Sequence, residues 1–299
     1  MTYKEFYGCH LPIITPFNDD YSVDYDGLKR LVNYYIDEIG IDGIVPCGTT
    51  GESPTLSNEE HDKVIETVVA ETAQRVPVMA GTGSNATKEA IERTKHAEAV
   101  GVDASLQVGP YYNKPTQDGF KAHFEAIAKA VDIPLFIYNI PGRTGKNIEP
   151  DTIIELSKIE NVIGLKDAAG DLGQTMEILN ANRGRADKFY HLSGEDPLTY
   201  TMMALGGDGA IASVSHIIGS EVVSMCRLIR EGDLSAAKDI HYQTLEMIKI
   251  LFIESNPVPV KEALSMMGLP AGPPRMPLVP MQKNNREKLK NALEALGRI

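Results

Sequence analysis

The sequence has no tryptophan, only three cysteines, and nothing approaching the ~20 consecutive apolar residues that cross a bilayer. Cys9, Cys47 and Cys226 are odd in number and far apart, with no CxxC. That spacing excludes a disulfide framework and a cysteine-rich metal centre, and it predicts a cytoplasmic protein. Positive charge is also scarce: 29 Lys and Arg against 41 Asp and Glu give a net charge of −12. A nucleic-acid partner is therefore disfavoured, and neither a membrane partner nor a secretory leader is expected. The seven histidines form no HxH or HExxH, and there is no Walker loop. No metal and no cofactor are expected.

What is present is an alternation of short apolar runs with helical periodicities. Strands are expected at 8–17, 43–47, 77–80, 104–108, 134–139, 162–170, 189–192 and 208–214. Between them lie amphipathic stretches, the first at 24–39, where Leu28, Leu31, Val32, Tyr35, Ile36 and Ile39 share a face and Gly40 stops the helix. Ser57 with Glu60 forms a capping box, Pro150 suits a first helical position, and Asp171 with Gln174 suits another helix start. Pro197 is expected to open a helix, and 219–230 to close the series. Alternation of this kind gives a parallel sheet with helices outside it. Eight such units predict an α/β fold, a closed (β/α)8 TIM barrel over residues 1–232. Residues 233–299 read as a C-terminal all-helical appendage, with a proline-rich loop at 270–280.

The stretch VIGLKDAAG holds the least ordinary residue. A buried strand that ends in lysine is unusual, because lysine is seldom buried without a partner. With an ordinary pKa near 10.4, only about one lysine in a few thousand is a free amine at neutral pH. Desolvation favours the neutral form, and a drop of about three units would raise that fraction nearly a thousandfold. Such an amine can attack a carbonyl and form a Schiff base. The plainer reading is that Lys166 snorkels to solvent or pairs with Asp167. Strand alternation sets Lys166 on the same face as Gly164, which would leave room beneath its chain.

Barrel active sites lie at the C-terminal ends of the strands. Thr49, Thr50 and Glu52 follow the second strand, Tyr111 and Tyr112 the fourth, Tyr138 ends the fifth with Arg143 just beyond, and Lys166 ends the sixth. Each has an ordinary alternative in turn geometry, loop packing, core or surface. Their shared address, converging on one cavity, is what makes them a site. Tyr138 and Lys166 should stand about 5 Å apart on neighbouring strands. Gly81–Ala86 matches the GxGxxG/A fingerprint, but the required acidic residue does not end the next strand, since Asp103 precedes it. The segment is therefore a turn and helix start, with Asn85 or Thr87 expected as its cap.

GTTGES at 48–53, YNIPGRTG at 138–145 and GLKDAAGD at 164–171 resemble the dihydrodipicolinate synthase and N-acetylneuraminate lyase family of class I aldolases. The resemblance spans nearly the whole chain, and PYYNKP with Arg143 looks most like the synthase branch. It implies a lyase that condenses pyruvate with L-aspartate 4-semialdehyde to 4-hydroxy-tetrahydrodipicolinate in the lysine (diaminopimelate) pathway. Lys166 would form the Schiff base and Tyr138 would shuttle protons. Thr49 would link Tyr138 to Tyr112, which acts in the neighbouring subunit. Thr49, Thr50 and the backbone of Ile211 would hold pyruvate, and Arg143 the semialdehyde carboxylate. A homotetramer of two tight dimers is implied. Ser53, His61, Asn85, Glu89 and Tyr111 match a lysine-effector site, but Pro54 and Asn58 depart from the inhibited pattern, so lysine inhibition stays open. Another aldolase of the family, acting on sialic acid or a 2-keto-3-deoxy sugar acid, is the alternative activity. A catalytically silent effector-binding barrel is the alternative class, and the intact Lys166, Tyr138, Thr49 and Tyr112 set speaks against it.

Overall fold

The computed structural model describes residues 3–299. Its strands are β1 (Gly8–Leu11), β2 (Gly43–Ile44), β3 (Met79–Gly81), β4 (Ala104–Val108), β5 (Leu135–Asn139), β6 (Val162–Asp167), β7 (Tyr190–Ser193) and β8 (Gly209–Ile211). They run in the order β2-β1-β8-β7-β6-β5-β4-β3, and each neighbouring pair is parallel. A parallel bridge between Ile44 and Val78 joins the two ends, with Ile44 N–H donating to the Pro77 carbonyl at 3.0 Å. The sheet thus closes on itself, as a TIM barrel does.

Several strands are shorter than the apolar runs that announce them. The run at 8–17 pairs only to Leu11, because Pro12 has no N–H for the ladder, and Pro46 truncates the run at 43–47 in the same way. The helix expected at 24–39 is α-helical over Tyr25–Asn33 and continues as a π-helical turn, Tyr34–Ile39, before Gly40 ends it at φ 75°. The last barrel helix starts earlier than its periodicity suggests. It runs Ser215–Glu231, with a break at Ile218 that hides the first turn from a regular pattern. Pro197 sits in a short 3-10 turn, Asp196–Leu198, ahead of helix Thr199–Ala204. The capping box of Ser57 and Glu60 and the Asp171 cap form as expected. Neither Asn85 nor Thr87 caps helix Thr87–Ala99: Ser84 Oγ accepts from Ala86 N–H at 3.1 Å instead, and Thr87 Oγ1 bonds His123.

Alternation on the strands splits the apolar residues into two layers. Phe136 and Tyr138 of β5, Leu106 of β4, Leu192 of β7 and Ile211 of β8 fill the barrel. Leu135, Ile137 and Leu165 face the surrounding helices. Phe6 plugs the lower end, its ring edge-on to Phe136 at 5.0 Å and to Tyr190 at 5.9 Å. The glycines of the rival dinucleotide fingerprint have a packing explanation. A Cβ at Gly81 would lie 2.4 Å from the Cys47 carbonyl oxygen, and one at Gly83 2.4 Å from Val108 N.

Helices Leu234–Leu251, Val258–Met266 and Lys283–Ala295 follow the barrel. One polar link between them and the barrel is a buried ion pair. Lys261 Nζ lies 2.7 Å from Glu52 Oε1 and also donates to the carbonyls of Thr15 and Pro273. Glu52 therefore does not join Thr49 and Thr50 in the barrel mouth. It sits in left-handed backbone (φ 53°) and also accepts from Arg275 N–H at 2.9 Å. Removing one partner of a buried pair strands the other charge. Lys261→Met should cost about 3 kcal/mol or more in urea denaturation. Glu52→Gln combined with Lys261→Met should recover part of that loss; a double variant as unstable as the sum of the singles would refute the coupling.

Candidate active site

Lys166 and Tyr138 are register partners across β5 and β6, one strand apart. Both side chains point inward, and Lys166 Nζ stands 4.2 Å from the centre of the Tyr138 ring. Asp167 points the other way, into the helical layer. There its carboxylate meets His191 Nε2 at 3.0 Å and Thr175 Oγ1 at 2.8 Å. The plainer reading of Lys166, a partner of Asp167 or a snorkel to solvent, is thereby removed: the residue is only 7% exposed. The space under its chain is not empty, however. A Cβ at Gly164 would lie 2.2 Å from Phe136 Cε1, so glycine is there because the phenyl ring occupies that place.

Burial lowers the Lys166 pKa to about 8. The negative charge of Asp196 opposes the drop, Arg143 adds to it, and Glu195 opposes it. At pH 7 roughly a tenth of such a lysine is free amine, a gain of about 300-fold over an ordinary one. The acidic neighbours offset part of what burial alone would supply. Burial also pushes the Tyr138 phenol well above its ordinary value, while the Arg143 charge and, less, the Thr49 hydroxyl draw it back. Tyr138 is consequently a neutral phenol at physiological pH, able to pass a proton without becoming a stable phenolate.

Two connected spaces open at the strand ends. One, of about 570 Å³, is bordered by Lys166, Tyr138, Thr49, Thr50, Arg143 and Ile211, so the expected substrate residues do share a cavity. Thr50 accepts from Asn256 Nδ2 at 2.9 Å, and Arg143 reaches the Asn256 carbonyl at 3.5 Å. The other, of about 580 Å³, shares Thr49, Tyr138, Arg143 and Lys166 and extends to Ser53, Glu89 and Tyr111 of the expected effector set, and to the departing Pro54. His61 and Asn85 stand outside its lining: His61 Nε2 is engaged by the Gly81 carbonyl at 2.9 Å, and Asn85 Nδ2 by the Tyr111 carbonyl at 3.2 Å. Tyr112 lines neither cavity; in the single chain it is 89% exposed. Glu89 is already engaged, by Ser84 Oγ and by Arg93 Nη2 at 3.0 Å.

Sequence reasoning passed over Glu195 and Asp196 after β7, Ser213 after β8, and Asn256. The acidic pair in SGEDP follows a strand at the same end of the barrel, which was signal enough. Asn256 gave none, since it reaches the mouth from beyond the eighth unit. Among the described residues, no group of three or more His, Cys, Asp or Glu side chains could hold a metal. No helix among them is long and apolar enough to cross a membrane.

Comparison with known proteins agrees with this geometry. The family model described as the dihydrodipicolinate synthetase family matches residues 5–296. The 4-hydroxy-tetrahydrodipicolinate synthase of Syntrophobacter fumaroxidans is 49% identical over 295 residues, covering 98% of this chain and 100% of that protein. The chloride-inhibited dihydrodipicolinate synthase of Acinetobacter baumannii, solved with pyruvate, superposes with a TM-score of 0.95 at 43% identity, over 98% of this chain and 99% of that one. The enzyme of Cyanidioschyzon merolae, solved with lysine bound, gives a TM-score of 0.95 at 40% identity, over 99% and 100%. The chain belongs to the dihydrodipicolinate synthetase family.

Proposed function

We propose that the chain condenses pyruvate with L-aspartate 4-semialdehyde through an imine on Lys166. The activity is that of a 4-hydroxy-tetrahydrodipicolinate synthase, a lyase of lysine biosynthesis. The observation that carries the residue assignment is the buried Lys166 amine set 4.2 Å from the Tyr138 ring at the barrel mouth. The free amine adds to the ketone of pyruvate, and loss of water leaves an iminium. That cation withdraws electrons from the adjacent methyl, which releases a proton to give an enamine. The enamine carbon then forms the new bond to the aldehyde carbon, and the aldehyde oxygen takes up a proton. Tyr138, whose phenol is held neutral by burial with Thr49 beside it, is suited to move these protons. Thr49, Thr50 and the Ile211 backbone border the space for the pyruvate carboxylate, and Arg143 offers a fork for that of the semialdehyde.

The exposed Tyr112 supports assembly. A chain that self-associates as a tetramer of two tight dimers would seat this phenol against a partner's site. Three free, buried thiols fit a reducing cytoplasm. Residues 1–232 are taken as the catalytic unit and 233–299 as its helical appendage. The lysine-effector reading rests on Glu89 and Tyr111 at the cavity edge. Because Arg93 already neutralises Glu89, an incoming lysine ammonium must displace it, and weak binding follows.

Lys166→Ala should abolish borohydride trapping of labelled pyruvate and nearly all turnover; label retained on the variant would refute the assignment. In the wild type the folded amine deprotonates near pH 8, below its ordinary range. Imine formation should therefore quicken by about tenfold per pH unit on approaching that value and then level off. A stopped-flow profile flat from acid to alkaline pH would contradict the burial argument. In isothermal titration with lysine, Arg93→Leu should bind at least about tenfold more tightly than the wild type, since an unpaired carboxylate gains a charge-assisted bond; equal or weaker affinity would show that Glu89 is not the cation's partner.

A further inference from the structure

Two carboxylates follow β7, and they are held differently. Glu195 is half-buried, whereas Asp196 is 5% exposed. Asp196 Oδ2 accepts from Ser213 Oγ at 2.9 Å. Its other oxygen, Oδ1, is buried without a side-chain partner, and the Val214 N–H nearby also favours the anion. A buried carboxylate oxygen left without a donor is costly, so a cation has reason to face it.

The fold brings Lys166 into the same cavity, without a direct ion pair between the two. Lys166 pairs in register with Leu192, and Gly194 N–H donates to the Asp167 carbonyl at 2.7 Å. The chain therefore turns directly over the lysine stem, so closely that a Cβ at Gly194 would stand 3.0 Å from Lys166 Cε. Asp196 comes two residues later and borders the same cavity as Lys166. We propose that Asp196, anchored by Ser213, is the positioning residue that supplies the counter-charge for the Lys166 ammonium and for the iminium made from it. This rests on Lys166 as the imine-forming residue.

The arrangement has a chemical logic. An iminium is a cation in a site that burial makes hostile to charge, and neither Tyr138 nor the threonines offers a negative partner. The charged groups that act on Asp196 are Lys166 from β6, which stabilises its anion, and Glu195 beside it, which opposes it. Arg143 beyond β5 and Glu195 act on Lys166 as well, and Tyr138 of β5 and Cys9 of β1 feel the Asp196 charge. Burial raises Asp196 and lowers Lys166, so the two groups are drawn toward each other. A proton passed from amine to carboxylate would expose the nucleophile without changing the net charge of the pair.

The test is borohydride trapping with labelled pyruvate alone, across pH, in wild type, Lys166→Ala, Asp196→Asn and Ser213→Ala. If wild type fails to trap, or Lys166→Ala still traps, the imine assignment itself fails. With that assignment intact, Asp196→Asn should raise half-saturating pyruvate about tenfold and move the pH midpoint of imine formation downward, because a negative charge that favoured the ammonium is gone. Ser213→Ala keeps the charge but loosens it, and should shift both quantities less in the same direction. Unchanged half-saturation and midpoint in Asp196→Asn would overturn the proposal. So would a change confined to the KM of the aldehyde, which would make Asp196 an aldehyde-binding residue. Should Asp196→Asn not fold, Ser213→Ala decides, and an unshifted midpoint there overturns the proposal equally.

Discussion

The cost of keeping a charged amine out of water organises the mouth of this barrel. Lys166 reaches that environment because β6 is covered on both faces, by the barrel interior on one side and the helical layer on the other. Alternation then separates two neighbouring polar residues. Lys166 faces the cavity, and Asp167 is taken up by His191 and Thr175 behind the sheet. Had Asp167 pointed inward, a close carboxylate would have held the amine protonated. Its diversion leaves the milder, more distant acids of the β7 turn to act on Lys166.

The C-terminal helices support the same mouth from outside. Asn256, just ahead of helix Val258–Met266, donates to Thr50, and Lys261 in that helix anchors Glu52. Both contacts land on the loop after β2, which carries Thr49. The Thr49 hydroxyl that acts on the Tyr138 phenol is therefore carried on a loop braced by a segment more than two hundred residues away in sequence. Its position is not a property of the GTTGES turn alone.

The barrel was legible because its signals are local and repeated: β-branched runs, glycine and proline punctuation, and capping residues such as Ser57 and Asp171 all recur unit by unit. The family and its activity were legible because three motifs fall in one order. Strand ends were less so, since ladder length is set by neighbours; a missing N–H at Pro12 or Pro46 matters only once the partner strand is known. Glu52 misled for a related reason. Its nearness to Thr49 and Thr50 in sequence suggested the cavity, whereas its left-handed backbone sends it to Lys261. The phenyl ring beneath Lys166 was hidden too, because alternation tells which face a residue is on and not what fills it.

That ring has a consequence for how such a barrel can change its chemistry. With Phe136 filling the space at Gly164, the lysine stem cannot retreat, so a keto acid held on Lys166 as proposed would stand at a fixed height above a solid floor. Whatever accepts the new carbon–carbon bond must arrive from above, through the loops that carry Arg143 and Glu195. Selection among acceptor aldehydes can then drift by rewriting those rims, while the electrophile-capturing layer below stays untouched.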